Sequence, residues 1–456
     1  MASLQRKRLS RADRVVVSLA RHEFVSPRGQ FSTRAVDASM PRDDKKDEWG
    51  WRPLCAWGLS ALFFYYAFVQ RVSPSVMVAE LMRDFAVSAA ILGNLSAFYL
   101  YAYAGLQLSV GVLMDRVGPR RLMSGATIVC AAGTVLFATS DALAGAYVGR
   151  LLIGAGAAFS WVGVLTVLTQ WFPPGRFALF AGLTQAIGMA GAVFGQAPLA
   201  FVVDAIGWRG ALHVVAASGA VLAVLIFLVV RDRPHAASRA VGVASSLRIV
   251  LRNLETWLNA AFGLAMTGPM LGFGALWAVP YLETIYGLDR ADAAAFASLI
   301  FVGWGIGAPV IGFISDRIGR RKMPMLAGAA VATLSLVAVI YLPGLPLSVL
   351  GALVVIHGAA ASSMVLSFAS VREHNPPGMS GSAMGVVNTA VVGSGALFQP
   401  LIGFLLDINW TGELVAGARI YTPEAYRIAF TVLPAACAIG TAAVLAMRET
   451  YARQRA

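Results

Sequence analysis

Gly111-Val-Leu-Met-Asp115-Arg116-Val-Gly118-Pro-Arg120-Arg121 occurs a second time, as Gly312-Phe-Ile-Ser-Asp316-Arg317-Ile-Gly319-Arg320-Arg321-Lys322, with Asp115 and Asp316 201 residues apart in a chain of 456. Each copy closes one apolar run and opens the next, so each reads as a tight basic turn between two membrane-length helices. A second echo sets Gln196-Ala-Pro198-Leu-Ala-Phe-Val-Val-Asp204 against Gln399-Pro400-Leu-Ile-Gly403-Phe-Leu-Leu-Asp407 at an offset of 203, which also brings Gly182 and Gln185 onto Gly385 and Asn388. Two unrelated stretches sharing nearly one period imply a duplicated half.

Composition points the same way. The chain is 58% apolar and 13% charged, with a mean hydropathy of +0.70, whereas soluble domains carry about 25% charged residues. This is the make-up of a polytopic membrane protein. The pI near 10.1 does not argue for nucleic acid, because the basic residues sit in short loops between apolar runs. Cys55, Cys130 and Cys437 each stand alone in an apolar run, with no metal or redox spacing, so they read as small packing residues. No metal or other cofactor is expected. An enzyme is not expected either, since no carboxylate pair, metal-spaced His/Cys cluster or phosphate-cradling loop occurs in a credible context.

About 20 apolar residues span a bilayer as a helix. Gly, Pro and charged punctuation separates twelve such segments, at about 53–77, 88–112, 121–139, 143–170, 175–202, 210–230, 256–281, 291–314, 323–342, 347–370, 380–406 and 425–447. The expected organisation is a disordered cytoplasmic tail (1–47), a six-helix bundle (48–230), a cytoplasmic linker rich in arginine (231–255), a second six-helix bundle (256–448) and a short cytoplasmic tail (449–456). The tail composition also fits a transit peptide, or a chain that begins at Met40. With both termini inside, the cytoplasmic loops after residue 41 carry 21 Lys and Arg residues against five outside, which places both termini in the cytoplasm. A bacterial inner membrane and a monomer are expected. Trp49, Trp51, Trp171 and Phe172 fit interfacial belts.

With these features the chain resembles the major facilitator superfamily over roughly residues 48 to 450. The doubled Gly-x-x-x-Asp-Arg-x-Gly-x-Arg-Arg turn is the most specific part of the likeness. It implies an all-α integral membrane fold of twelve helices in two pseudo-symmetric six-helix bundles. It further implies that Gly111, Asp115, Arg116, Gly118, Arg120 and Arg121, with Gly312, Asp316, Arg317, Gly319, Arg320 and Arg321, latch conformations without touching a transported solute.

Two arginines lie inside expected spans, Arg71 on the first and Arg150 on the fourth. Burying such a charge costs roughly 2.5–3.5 kcal/mol on insertion scales, so each must face protein, water or a negative partner. No carboxylate lies at comparable depth: Glu80, Asp84, Asp141, Asp204, Glu283 and Asp407 all fall at or beyond expected outer ends. A cavity lined by these arginines is positive and prefers an anion. Arg71 also lies ~27 Å of helix from the inner end, near enough to the outer surface to snorkel.

The run Gln70-Arg71-Val-Ser-Pro74-Ser, with Ser96-Ala-Phe98-Tyr99-Leu-Tyr101-Ala-Tyr103-Ala-Gly105-Leu-Gln107 on the second helix, resembles the organic phosphate exchangers and anion:cation symporters of the superfamily. That likeness implies that Arg71 holds the acidic group of a substrate, and that Arg150, in Arg150-Leu-Leu-Ile-Gly154-Ala-Gly156, belongs to a fourth-helix motif associated with ion coupling. Proton-coupled relatives of that branch commonly carry an acid just before the first arginine and another seven positions after the second. Here these positions are Gln70 and Ala157, which puts proton symport through them in doubt. The fifth helix has Gly195-Gln196 in place of the Gly-Pro pair of drug/proton antiporters.

The expected substrate site comprises Arg71, Arg150, Tyr99, Tyr103, Gln185, Trp277, His357 and Asn388. Tyr99, Tyr103 and Gln107 share a helix face, and Gln185 and Asn388 are equivalent across the repeat. His357 could carry a proton, though a lone histidine in a span is more often a packing residue. The expected function is secondary or facilitated transport of a small organic anion or carboxylate-bearing zwitterion by alternating access, with a coupling proton or a counter-anion as a further partner and the lipid bilayer as surroundings. A multidrug or cation exporter would need a central acid. A non-transporting sensor would need a signalling domain larger than the tail and linker.

Overall fold

The computed structural model describes residues 50–232 and 243–454. The tail expected over 1–47 lies outside the described residues, as do positions 233–242 of the linker. Residues Glu48–Ala456 form one compact unit.

The helices in chain order are α1 (Trp51–Val72), α2 (Val78–Asp84), α3 (Ala89–Val117), α4 (Pro119–Thr139), α5 (Leu143–Ala157), α6 (Phe159–Trp171), α7 (Pro174–Phe194) and α8 (Ala197–Val229), followed by α9 (Val243–Arg252), α10 (Leu254–Pro269), α11 (Ala278–Tyr286), α12 (Arg290–Ile318), α13 (Lys322–Tyr341), α14 (Leu347–Ala361), α15 (Leu366–Glu373), α16 (Ser380–Ile408), α17 (Pro423–Phe430) and α18 (Val432–Ala446). A two-stranded hairpin, β1 (Leu414–Val415) and β2 (Ala418–Arg419), joins α16 to α17.

Among the described residues eleven stretches are long and apolar enough to cross a membrane, but one of them, Leu179–Val229, has 51 residues. At 1.5 Å per residue that is ~77 Å, more than twice a ~30 Å hydrocarbon core. Gly207 breaks it, at φ 72 and ψ 162, so it makes two crossings and the described residues make twelve. Six crossings precede α9 and six follow it, in two pseudo-symmetric bundles of a multi-pass membrane protein.

Several crossings are interrupted in ways that hydropathy does not register. The first ends in a 3-10 turn, Ser73–Val76, where Pro74 has no N–H to continue the α pattern. The seventh opens into a π-helix, Met270–Trp277, directly after Pro269. The tenth passes through a 3-10 turn at Ser362–Val365 between α14 and α15. The linker contains α9, whose Ser246 and Val250 are buried while Arg248 and Arg252 are exposed, as i, i+4 spacing on a docked helix requires.

Small residues set the helix spacing. A Cβ on Gly403 of α16 would fall inside the shell of the Ala89 carbonyl, 2.5 Å from its carbon. Glycine therefore lets α16 of the second half touch the start of α3 in the first.

The second sequence echo now has a physical meaning. Asp407 ends α16 and accepts hydrogen bonds from Ala89 N (3.1 Å) and Ala90 N (2.9 Å), the first, otherwise unsatisfied donors of α3. The Tyr421 hydroxyl donates to Asp407 at 2.7 Å and Arg419 pairs with it at 3.3 Å. Its counterpart Asp204 pairs at 3.3 Å with Arg290, the first residue of α12 in the other half, and Arg290 also pairs with Glu80. Each repeated acid thus clamps the opposite bundle at the end remote from the basic turns, called here the far end.

Cross-half bonds continue inward from that end. Gln196 Nε2 donates to the Gly274 carbonyl of the π segment (2.7 Å), Tyr101 to the Ala396 carbonyl (3.2 Å), and Asn388 Nδ2 approaches Gln107 Oε1 at 3.5 Å. Leu100, 1% exposed, packs at the site where a Cβ on Gly395 would stand.

Asp407→Asn leaves one side-chain acceptor where two now serve α3. In a Cys55→Ser background carrying Leu100→Cys, maleimide labelling of that buried position from the far side is expected to speed up by about tenfold, from the loss of one charge-assisted bond of ~1.5 kcal/mol. An unchanged labelling rate would show that this clamp does not hold the far end shut.

Candidate substrate site

The last turn of α1 delivers Arg71 into the first bundle, where it is 7% exposed. Its guanidinium carbon lies 4.3 Å from the Phe68 ring centroid, 5.0 Å from that of Tyr103 and 5.6 Å from that of Tyr99. Phe68 precedes Arg71 by three residues and so shares its face of α1. Tyr99 and Tyr103, one turn apart on α3, lie at 21° to one another with centroids 6.1 Å apart. The rings supply quadrupole attraction, worth ~2 kcal/mol or more for a desolvated cation, but no formal negative charge. The Nε of Arg71 is buried without a hydrogen-bond partner, and among the described residues no carboxylate pairs with this arginine.

Arg150, on α5, is 1% exposed. One terminal nitrogen donates to the Gln70 carbonyl (2.9 Å), the other to the Ser96 carbonyl (3.1 Å). Its guanidinium carbon lies 5.2 Å from the Tyr99 centroid. Arg150 therefore ties α5 to α1 at the peptide adjoining Arg71 and to α3 one turn before Tyr99, while its Nε, like that of Arg71, is buried without a hydrogen-bond partner. Gln70, fully buried, donates to the Tyr66 and Thr134 hydroxyls. The Tyr99 hydroxyl donates to the Ala67 carbonyl at 3.0 Å.

Of the eight expected site residues, the structure brings together Arg71, Arg150, Tyr99 and Tyr103. Asn388 meets Gln107, one turn beyond Tyr103 on α3. Gln185 is half-buried on α7. Trp277 is fully buried and donates to the Gln399 carbonyl at 3.0 Å. It lines a cavity of about 80 Å3 at the far end, with Glu80, Glu283, Arg290 and Tyr426. His357 points at α13, its Nδ1 2.9 Å from the Ala332 carbonyl and its Nε2 buried without a partner. Phe68 and Ser96 were not singled out by sequence reasoning. The i, i+3 spacing of Phe68 to Arg71 was the available signal; the Ser96 contribution is a backbone carbonyl, which no side-chain pattern encodes.

The two basic turns are built differently. In the first, the side chain of Asp115 lies outside the described residues, Gly111 is half-buried, and Arg116 and Arg121 are exposed. Gly118 takes φ 90, and Arg120 donates through Nε to the Phe227 carbonyl (2.7 Å) and through its backbone N to Asp232 (2.9 Å). In the second, Gly312 is half-buried, Gly319 has φ 66, and Arg317 and Arg320 are exposed. Arg321 is buried between Asp316 (2.6 Å) and Glu373 (2.9 Å). Glu449 accepts from the backbone nitrogens of Arg321 (2.8 Å) and Lys322 (3.1 Å). In both halves an acid just after the last helix of the bundle, Asp232 or Glu449, caps the helix that follows the turn.

Comparison with known proteins agrees with this architecture. The family model described as Major Facilitator Superfamily matches residues 59–400 and 270–455. A probable sulfoacetate transporter of Cupriavidus necator is 23% identical over 284 residues, 58% of this chain and 65% of its own length. A probable L-galactonate transporter of Escherichia coli is 27% identical over 301 residues, 59% of this chain and 65% of its own length. The chain thus spans just under two thirds of each relative. A bacterial homolog of the human lysosomal transporter Spinster, solved inward-facing and occupied, superposes with a TM-score of 0.73 at 16% identity, covering 85% of this chain and 95% of that one. The doubled turn, the twelve crossings in two bundles and a family match over most of the sequence lead to one conclusion: this chain belongs to the Major Facilitator Superfamily.

Proposed function

We propose that this protein is a secondary transporter, not an enzyme, and that it moves a small organic anion or carboxylate-bearing zwitterion across the membrane by alternating access of its two bundles. The observation that carries the reading is Arg71: a guanidinium enclosed by three aromatic rings, with a buried Nε that has no partner. A desolvated cation of this kind is stabilised by an incoming carboxylate or sulfonate, with charge-assisted bonds. The names of two relatives, transporters of sulfoacetate and L-galactonate, support the same class.

The far-end clamps make this a state closed at the far end. The surplus of Lys and Arg at the other end makes that end cytoplasmic, with both termini inside, in a bacterial inner membrane. The bundles are taken as 48–230 and 256–448 and the working unit as a monomer. A coupling proton or a counter-anion completes the cycle. A cation exporter is less well supported. Glu80 does line the far-end cavity, yet it is paired with Arg290, and Asp84 is paired with Arg83 at 2.8 Å.

The experiment is a melting-temperature screen of the purified protein with carboxylates, sulfonates, nitrate, amino acids and cationic dyes, followed by counterflow uptake in vesicles. A bound ligand at a hundredfold its Kd stabilises by ~2.7 kcal/mol. Organic anions are expected to raise the melting point and to exchange; a response confined to the cationic dyes would overturn the proposal.

A further inference from the structure

The site holds two buried guanidinium charges, each with an unpartnered Nε and neither paired with a carboxylate among the described residues, and from this we infer that it selects its cargo by valence: a small dianion, such as a dicarboxylate or a sulfocarboxylate, held by Arg71 and balanced by Arg150. This rests on the anion-transport reading above.

The two arginines are held differently. One terminal nitrogen of Arg150 donates to the Gln70 carbonyl and the other to the Ser96 carbonyl, which fixes its guanidinium, while its Nε, like that of Arg71, is buried without a hydrogen-bond partner. Arg71 makes no such bonds to a carboxylate or carbonyl; its partners are the Phe68 ring and the rings and hydroxyls of Tyr99 and Tyr103. Both guanidinium carbons are within 5.6 Å of the same Tyr99 centroid, so they lie at most about 11 Å apart, a range over which charges interact appreciably in a protein interior.

Among the described residues no carboxylate forms an ion pair with either arginine. The acids that are paired at the far end have other partners: Glu80 and Asp204 share Arg290, Asp84 has Arg83, Asp141 has Arg209 and Asp407 has Arg419. Gln70, which precedes Arg71 and whose carbonyl accepts from Arg150, is neutral and fully buried. A monoanion bound at Arg71 leaves one buried positive charge unbalanced; a dianion of the same size leaves none. Arg150 is in this sense a specificity-determining residue.

The test uses pairs of ligands alike in size and differing by one charge, succinate against succinamate and sulfoacetate against sulfoacetamide, with Kd measured by calorimetry on the purified full chain. The dianion of each pair is expected to bind about tenfold more tightly, equivalent to ~1.4 kcal/mol. Gln70→Glu, isosteric and still within reach of the Tyr66 and Thr134 hydroxyls, supplies the missing negative charge and is expected to bring the ratio to about one. Arg150→Gln is expected to do the same, provided it folds; Gln70→Glu keeps the test decisive if it does not. The ratio of two affinities is a readout that a loss of packing would not move selectively. Equal binding of both partners by the wild type, with Arg71→Gln abolishing both, would overturn valence selection and leave the anion reading standing. Binding of no member of either pair, or binding untouched by Arg71→Gln, would overturn both.

Discussion

Arg71→Gln is expected to weaken binding of the anionic substrate by at least thirtyfold and to stop its counterflow, with the protein still folded. Removing one partner of a buried, hydrogen-bonded charge pair costs about 2–5 kcal/mol, because the substrate anion enters the site with no counter-charge and cannot recover its hydration. The free protein loses the ring contacts and the tyrosine hydroxyl partners of Arg71, and no carboxylate is left stranded, since none pairs with Arg71 among the described residues. Folding should therefore change much less than binding, and size-exclusion profiles beside calorimetry separate the two. Arg71→Lys should restore part of the affinity: it keeps the charge but loses the planar fork that both stacks on rings and grips a carboxylate. Full affinity in Arg71→Gln would remove this residue from the site.

Gly154→Val is expected to be the most damaging single change to folding. A Cβ there would lie within the shell of the Tyr99 carbonyl and 2.7 Å from Tyr99 Cα. These are backbone atoms of α3 that cannot rotate away, so α5 and α3 must separate. Overpacking of this sort costs typically 1–3 kcal/mol and occasionally more, and the same shift would carry Tyr99 away from both arginines. The expected result is a melting point lower by several degrees, with much of the protein lost to aggregation. Gly182→Val is the control, since a Cβ at Gly182 meets nothing within 4 Å and an exposed substitution of this kind changes stability by about 0.5 kcal/mol or less. Equal losses in the two variants would refute the close-approach argument.

The crossings were legible because hydropathy and turn chemistry are local, and because duplication prints the same turn twice. Even the clamp formed by Asp407 was foreshadowed, as an echo of Asp204, although nothing in the repeat says that the two acids would grip differently: one takes the backbone nitrogens of α3, the other the side chain of Arg290. The π-helix after Pro269 escaped because one proline admits a kink, a break or a bulge, and neighbouring helices choose among them. The grouping of Arg71 with Tyr99 and Tyr103 was readable from a shared helix face plus the likeness to anion-handling relatives. The difference in partners between Arg71 and Arg150 was not, because Arg150 is held by two backbone carbonyls, groups that every residue possesses.

By itself the sequence determined the solvent this protein lives in, its twofold internal repeat, its number of crossings and the positive charge at its centre, since each follows from composition and spacing along one chain. Only the tertiary structure decided which groups bridge the two halves at the far end, which partners each central arginine has and where His357 and Trp277 point. Those outcomes depend on distances between helices far apart in sequence, and such distances are settled by how small residues let backbones approach.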